Sequence, residues 1–233
     1  MNVGIIPARG ASEGLPGKNT RLMLGRPLIA YVIEAALRSR RLAGVYVSTE
    51  DAEIDEIARR EGAQVIRHPA HLSGPTSPTA PVIAWDVDNL ESAGPKIAVV
   101  VTLRATTPLC TTADIDAALD LLASVPAADS VVSVTPSSVH PMRLKRVLPD
   151  GRLQDAFEPE GRRPRRRQEL ERLYIRNGGI YAAKRNVISP DSLWGDYCLA
   201  YVMPEERSIN INTEIDFAVA ELLLSRRTSS GHF

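Results

Sequence analysis

The sequence predicts an α/β fold, a parallel sheet covered by helices. Three observations carry that prediction. Short hydrophobic runs of strand length alternate with segments of helical period. The run IAVVVTL is continuously apolar, as expected of a central strand buried on both faces. A chain of 233 residues with 44% hydrophobic and 24% charged residues can bury one substantial core, so a single domain over 1–233 is expected.

The strands read in order as Val3 to Pro7, Val45 to Ser48, Gln64 to Ile66, Ile97 to Leu103 and Ser130 to Val134. Between them, Pro27 to Arg40 carries Leu28, Tyr31, Val32, Ala35 and Ala36 at spacings of three and four, the stripe of a helix facing a core. Ala52 to Glu61 and Thr112 to Leu122 follow the same period, with Asp51 and Thr111 or Thr112 placed as N-caps. The alternation stops near Pro136. Residues 136–178 read as an inserted arm, rich in Pro, Arg and short polar stretches. Its cluster Arg162 to Arg167, broken only by Pro164, cannot be buried unpaired and is a solvated loop, an anion contact or a subunit contact. A strand from Gly179 to Ala183 and an amphipathic helix from Glu214 to Leu224 restore the pattern, and 227–233 read as a frayed tail.

Lys plus Arg and Asp plus Glu both number 28, so no net field draws the molecule to nucleic acid or an anionic membrane. Any anion site is therefore local. The apolar start MNVGIIP is too short for a signal segment or a span, which points to the cytoplasm. Cys110 and Cys198 lack paired CxxC spacing and read as reduced core or near-core thiols.

The segment PARGASEGLPGKN follows the first strand and brings Gly10, Gly14 and Gly17 together with Arg9 and Lys18. Glycines at the C-terminal end of a strand let backbone N–H groups approach phosphate oxygens, while cations neutralise the charge. The spacing is neither a dinucleotide GxGxxG nor a Walker A loop. Glu50 and Asp51 stand near the place of a dehydrogenase's ribose-binding acid, but the loop is wrong for that class.

IPARGASEGLPGKNTRLMLGRPLIAYVIEAAL resembles the opening signature of the acylneuraminate cytidylyltransferase family, IPARGGSKGLPGKN followed by a Gly-Lys-Pro-Leu-Ile helix start. The likeness continues through VYVSTEDAEIDEIARREGAQVIRHP, VVVTLRATTPLCTTADIDAAL and RQELERLYIRNGGIYAAKR to ININTEIDFAVAE. It implies a Rossmann-like, three-layer nucleotide-diphospho-sugar transferase fold, a homodimer formed through the arm, and transfer of CMP from CTP to an acidic, sialic-acid-like keto-acid sugar with Mg²⁺ or Mn²⁺. By the same resemblance Arg9 and Lys18 hold the triphosphate, and Ala8, Gly10, Ala11, Ser12, Asn19 and Arg67 form the nucleotide surface. The segment LSGPTSP departs from the family's LATDTA and offers Thr76 or Ser77 instead. Lys145, Arg167, Gln168, Asn177 and Tyr181 match positions around the acceptor.

Three departures set this chain apart. The family's Asp-Ile-Asp metal motif reads Asn210-Ile211-Asn212, two asparagines that strand alternation would put on one face. Amide oxygens are weaker Mg²⁺ ligands than carboxylates, so the metal is carried by the nucleotide, another carboxylate such as Glu13, Asp216 or Glu214 substitutes, or turnover is lost. A helix-start capping role also fits Glu214. Arg104 replaces the family's acceptor-binding glutamine and adds a cation suited to a carboxylate, phosphate or phosphonate. Cys110 replaces a common arginine. Alternatives to the sialic-acid-like reading are nucleotidyl transfer to another acidic acceptor and a nucleotide-binding homologue without turnover.

Overall fold

The computed structural model describes all residues except 11–14, 75–76, 95, 158–170 and 230–233. β1 (Asn2–Pro7) is followed by a short hairpin, β2 (Leu22–Met23) and β3 (Arg26–Pro27), and by α1 (Leu28–Leu37). Then come β4 (Gly44–Ser48), α2 (Ala52–Arg60), β5 (Gln64–Ile66), α3 (Thr79–Ala93), β6 (Val99–Leu103) and α4 (Thr112–Ser124). β7 (Ser130–Pro136) leads to a second hairpin, β8 (Lys145–Val147) with β9 (Leu153–Asp155). β10 (Tyr174–Lys184), β11 (Cys198–Val202) and α5 (Glu214–Ser229) come last.

Seven strands form one sheet in the order β11-β7-β10-β6-β1-β4-β5. β1 pairs in parallel with β4 and β6, β4 with β5, and β7 with β11, while β10 runs against both β6 and β7. Successive side chains on a strand face opposite sides, and the burial follows that period. Val3, Ile5 and Val100 pack with Ile83 and Val87 of α3 on one face. Ile6, Val101 and Leu103 pack with residues of α1, α2 and α4 on the other. The result is a three-layer α/β fold with a mostly parallel sheet. A third apolar cluster seats Phe217, Ala220 and Leu224 of α5 against Leu28, Met23 and Leu109.

Local chemistry sets the helix ends. Asp51 accepts from the Ile54 N–H at 2.9 Å and caps α2. Thr111 and Asp114 form a reciprocal capping box at the start of α4. At α5 the cap is Thr213 with Asp216, the threonine hydroxyl accepting from the Asp216 N–H and the carboxylate accepting from the Thr213 N–H. Glu214, read as a capping residue, instead pairs with Arg21 at 2.7 Å.

Several elements differ from the sequence expectation. α3 and β11 occupy stretches where no element is read, and the arm contains the β8–β9 hairpin. The strand expected from Gly179 starts at Tyr174. The last helix continues through Arg227 to Ser229, into the residues read as a tail. Asn210 to Asn212 are not strand: Ile211 donates its N–H to the Thr106 carbonyl, and the chain bends there into the cap of α5. Cys110 is buried and its thiol pKa is pushed up by that burial, but Cys198 is exposed on β11.

Candidate functional site: a cationic cleft at the sheet's switch point

From β1 the chain passes through α1 to β4 on one side, and the later return through α3 brings β6 to the other side. In such a sheet the crevice outside the carboxyl ends of the strands, where the winding direction reverses, is the natural ligand position. A cleft of about 320 Å³ lies at that end of β1. Ala8, Arg9, Lys18 and Asn19 line it from the first loop, His68, Ser73 and Ser77 from the segment after β5, and Arg104 and Asn212 from the opposite wall. A larger cavity of about 560 Å³ lies under the arm, between Pro136 to His140 and Glu171 to Leu173, but it contains none of the loop cations.

The first loop is pinned from both sides. Arg9 donates to the Gly74 carbonyl at 2.9 Å, Asn19 donates to the Arg9 carbonyl at 3.0 Å, and Lys18 reaches the Ile211 carbonyl at 3.1 Å. Half-burial of the Lys18 ammonium lowers its pKa, and Arg104 and Arg9 lower it further, with Asp216 opposing them. Three cations thus converge on one cleft, with Asp216 acting against the repulsion felt by Lys18. Arg104 is held with its guanidinium 5.7 Å above the Tyr181 ring, and that ring in turn stacks on Trp194 at 6.1 Å. Gly178 has a φ of +79°, and a Cβ there would lie 2.6 Å from the Asn210 amide nitrogen. Position 178 therefore admits glycine alone and seats Asn210 close to Arg104.

The expected site residues divide clearly. Ala8, Arg9, Lys18, Asn19, Arg104 and Asn212 meet in the cleft. Gly10 does not open its amide on it: its N–H donates to Glu50 Oε1 at 3.0 Å, and a Cβ there would collide with Asp51. Arg67 points the other way, its guanidinium held by Asp55 of α2 at 2.6 Å with the side chain 70% exposed. The next residue, His68, enters the cleft instead. Asn177 is buried, and its amide accepts from Ser133 and Gly179 and donates to Ser208, so it fastens β10 rather than facing an acceptor. Tyr181 is buried beneath Arg104 and acts through it. Lys145 sits on the β8–β9 hairpin, paired with Asp155, away from the cleft lining. Ala11, Ser12, Glu13, Thr76, Arg167 and Gln168 lie outside the described residues.

Asn212 donates its backbone N–H to Asp216 at 3.0 Å and its side-chain amide to the Asn210 carbonyl at 3.3 Å. Among the described residues no group of three or more His, Cys, Asp or Glu could hold a metal ion. Ser73, Glu50 and His68 carry no motif. The one signal for His68 is its place two residues beyond β5, at the carboxyl end of a parallel strand. No described helix is long and apolar enough to cross a membrane.

Comparisons with known proteins place the chain in a family. The N-acylneuraminate cytidylyltransferase of Escherichia coli is 31% identical over 222 residues, 94% of this chain and 51% of that protein. The CMP-N,N'-diacetyllegionaminic acid synthase of Legionella pneumophila is 31% identical over 232 residues, 95% of each chain. The chain spans about half the length of the N-acylneuraminate cytidylyltransferases it matches, from Escherichia coli and two fishes. In fold, it is similar to a CMP:2-keto-3-deoxy-manno-octonic acid synthetase solved with CTP, at a TM-score of 0.72 and 18% identity, covering 97% of this chain and 99% of that one. The cytidylyltransferase family model matches residues 3–198, and on that match, together with the long similarity to the Legionella synthase, the chain belongs to the cytidylyltransferase family.

Proposed function

We propose that this chain transfers CMP from CTP to the hydroxyl of a sialic-acid-like keto-acid sugar and releases pyrophosphate. The observation that carries the reading is the convergence of Lys18, Arg9 and Arg104 on one cleft at the switch point, a charge arrangement that calls for a polyanion. The names of the Escherichia coli and Legionella relatives supply the reaction class and the kind of acceptor.

The acceptor hydroxyl oxygen attacks the α-phosphorus and its proton passes to solvent, the bond from that phosphorus to the bridging oxygen breaks, and pyrophosphate leaves with the electron pair. Little covalent chemistry falls to the protein. Its task is to position the phosphates and to stabilise charge as it moves onto the leaving group. Lys18, held at Ile211, and Arg9, held at Gly74, are fixed before substrate arrives, so they need little reorganisation during the step. On this reading Arg104, which is braced on Tyr181, meets the acid group of the acceptor.

Magnesium or manganese belongs to this reading as an ion carried mainly by the nucleotide. Two neutral amides and one capping carboxylate, Asn210, Asn212 and Asp216, suit contact with such an ion or its waters but would not gather it alone. Once bound, the ion supplies neutralisation of the phosphate charge. The two unpaired thiols suit a reducing cytoplasm. Assembly as a homodimer through the arm is part of the same reading, supported by exposed Val147, Leu153 and Phe157 on it.

Arg104 in place of glutamine favours a second reading, in which the acceptor is a phosphonate or a sugar or cyclitol phosphate. The paired asparagines favour a third, nucleotide binding without turnover. Pyrophosphate release measured over nucleotides, acceptors and metals separates them. Release with CTP and keto-acid sugars is expected. Release only with phosphorylated acceptors supports the second reading, and binding without release supports the third. In the same assay Lys18→Ala should lower kcat by about a hundredfold or more, with a smaller change in nucleotide affinity.

A further inference from the structure

Beneath the cleft runs a line of polar side chains that the transfer step leaves unused. Asp86 on α3 is 0% exposed, and among the described residues neither of its carboxyl oxygens has a hydrogen-bond partner. The Ser48 hydroxyl, at the end of β4, is the one side-chain dipole acting on that carboxyl. Ser48 Oγ lies 2.7 Å from His68 Nδ1, and His68 Nε2 lies 2.6 Å from Ser73 Oγ. Ser73 and His68 both border the cleft. A carboxyl left bare in a core is costly, and this one stands at the inner end of a chain that reaches the ligand space.

Once the bare carboxyl closes onto Ser48, which has one hydroxyl proton, the line has two self-consistent arrangements. In the first, a protonated Asp86 donates to Ser48, Ser48 donates to Nδ1, and the imidazole proton sits on Nε2 and points at Ser73. The Ser73 hydroxyl proton is then free to enter the cleft. In the second, an ionised Asp86 draws the Ser48 proton to itself, Nδ1 carries the imidazole proton, and Nε2 accepts from Ser73. Ser73 then offers the cleft only lone pairs.

We propose that Asp86, acting through Ser48 and His68, is a positioning residue that decides whether Ser73 meets a bound nucleoside as a hydrogen-bond donor or as an acceptor. The proposal rests on the nucleotide reading of the cleft. A cytosine presents the acceptors O2 and N3 beside one amino donor, and the proposal takes Ser73 to meet an acceptor, which makes the donor arrangement the binding one. Burial raises the Asp86 pKa to about 7, so the donor arrangement prevails below that pH and the acceptor arrangement above it. Burial also lowers the His68 pKa, keeping the ring neutral, while Glu50 raises it in part. The charged groups around the ring are Glu50 beyond β4, 3.5 Å from Nε2, with Asp86 on α3 beneath and Arg9 and Lys18 on the cleft wall.

Nitrogen NMR of protein labelled in its four histidines, with His68 assigned through His68→Gln, reads the tautomer without any ligand. The expected result is Nε2–H at pH 6 passing to Nδ1–H at pH 8.5 in the unsubstituted protein. Asp86→Asn, whose amide does not titrate and donates to Ser48 with its NH2 turned to that hydroxyl, should hold Nε2–H at both. Calorimetry with CTP should then give equal affinities for the two proteins at pH 6. At pH 8.5 the variant should bind about three- to tenfold tighter, a difference that Ser73→Ala removes. The titration of the nucleotide cancels in the ratio. A tautomer that does not change with pH in the unsubstituted protein overturns the proposal even where the variant fails to fold. A constant or inverted affinity ratio overturns it while leaving CTP binding intact, whereas absence of CTP binding to the unsubstituted protein overturns the nucleotide reading and this proposal together.

Discussion

Asp86 gives up water on every side, and the stability of the protein should register that loss as a function of pH. Its pKa is raised from an ordinary 3.8 to about 7, so the folded state holds the proton more tightly than the unfolded chain. The sign follows from linkage: no penalty exists below pH 4, where both states are protonated, and the penalty grows between pH 4 and 7 and is complete above. Its full size is about 4 kcal/mol, an upper-end figure. Asp86→Asn should therefore gain stability relative to the unsubstituted protein as pH rises from 5 to 8, measured by urea unfolding. Parallel curves would show that the carboxyl is solvated after all. Single residues were unevenly legible before the structure. Arg9 and Lys18 sit in a glycine loop whose chemistry is local and readable, whereas Arg67 and His68 are neighbours that point to opposite sides of one chain, and composition alone does not say which faces inward. The asparagine side chain at 177 looks like a binding group in sequence because nothing local reveals that Ser133, Gly179 and Ser208 already satisfy it.

Helix α4 does more than cover the sheet. Its Asp114 closes the capping box and also accepts from Arg207 at 2.9 and 3.0 Å and from the Tyr201 hydroxyl at 3.0 Å. Burial alone would raise this carboxyl's pKa, but the hydrogen bonds from Arg207 and Thr111 outweigh it and the net shift is downward. The helix start thereby fastens the segment that leads to Asn210 and Asn212. Removing one side of a buried charge pair leaves the other stranded, so Asp114→Asn should cost about 3 kcal/mol, whereas Thr111→Ala, losing a cap, should cost about 1 kcal/mol. Urea midpoints of the two variants test the ranking, and equal losses would reduce Asp114 to a simple cap. At this scale the sequence pattern is strongest where burial is two-sided, as for β1 and β6, and weakest at margins. β11 alternates exposed and half-buried residues at the sheet edge, and α3 opens on Pro78 with Pro81 in its first turn, signals that read as loop.

For the molecule as a whole, assembly turns on the arm. Val147, Leu153 and Phe157 are 73%, 70% and 64% exposed on and next to the β8–β9 hairpin, more apolar surface than a solvated hairpin needs. The triple variant Val147→Ser, Leu153→Ser, Phe157→Ser should shift sedimentation from a dimer toward a monomer while the far-ultraviolet spectrum stays unchanged. A monomer in the unsubstituted protein would remove the dimer from the functional reading. β10, the strand that opposes its neighbours in the sheet, gives this a mechanical meaning. It leaves the arm at Tyr174, bends at Gly178 against Asn210, where its register with β7 shifts, and carries Tyr181 under Arg104. On the proposed reading, a displacement where two subunits touch reaches Arg104 through β10 and its bend, so quaternary contact and acceptor choice share one strand.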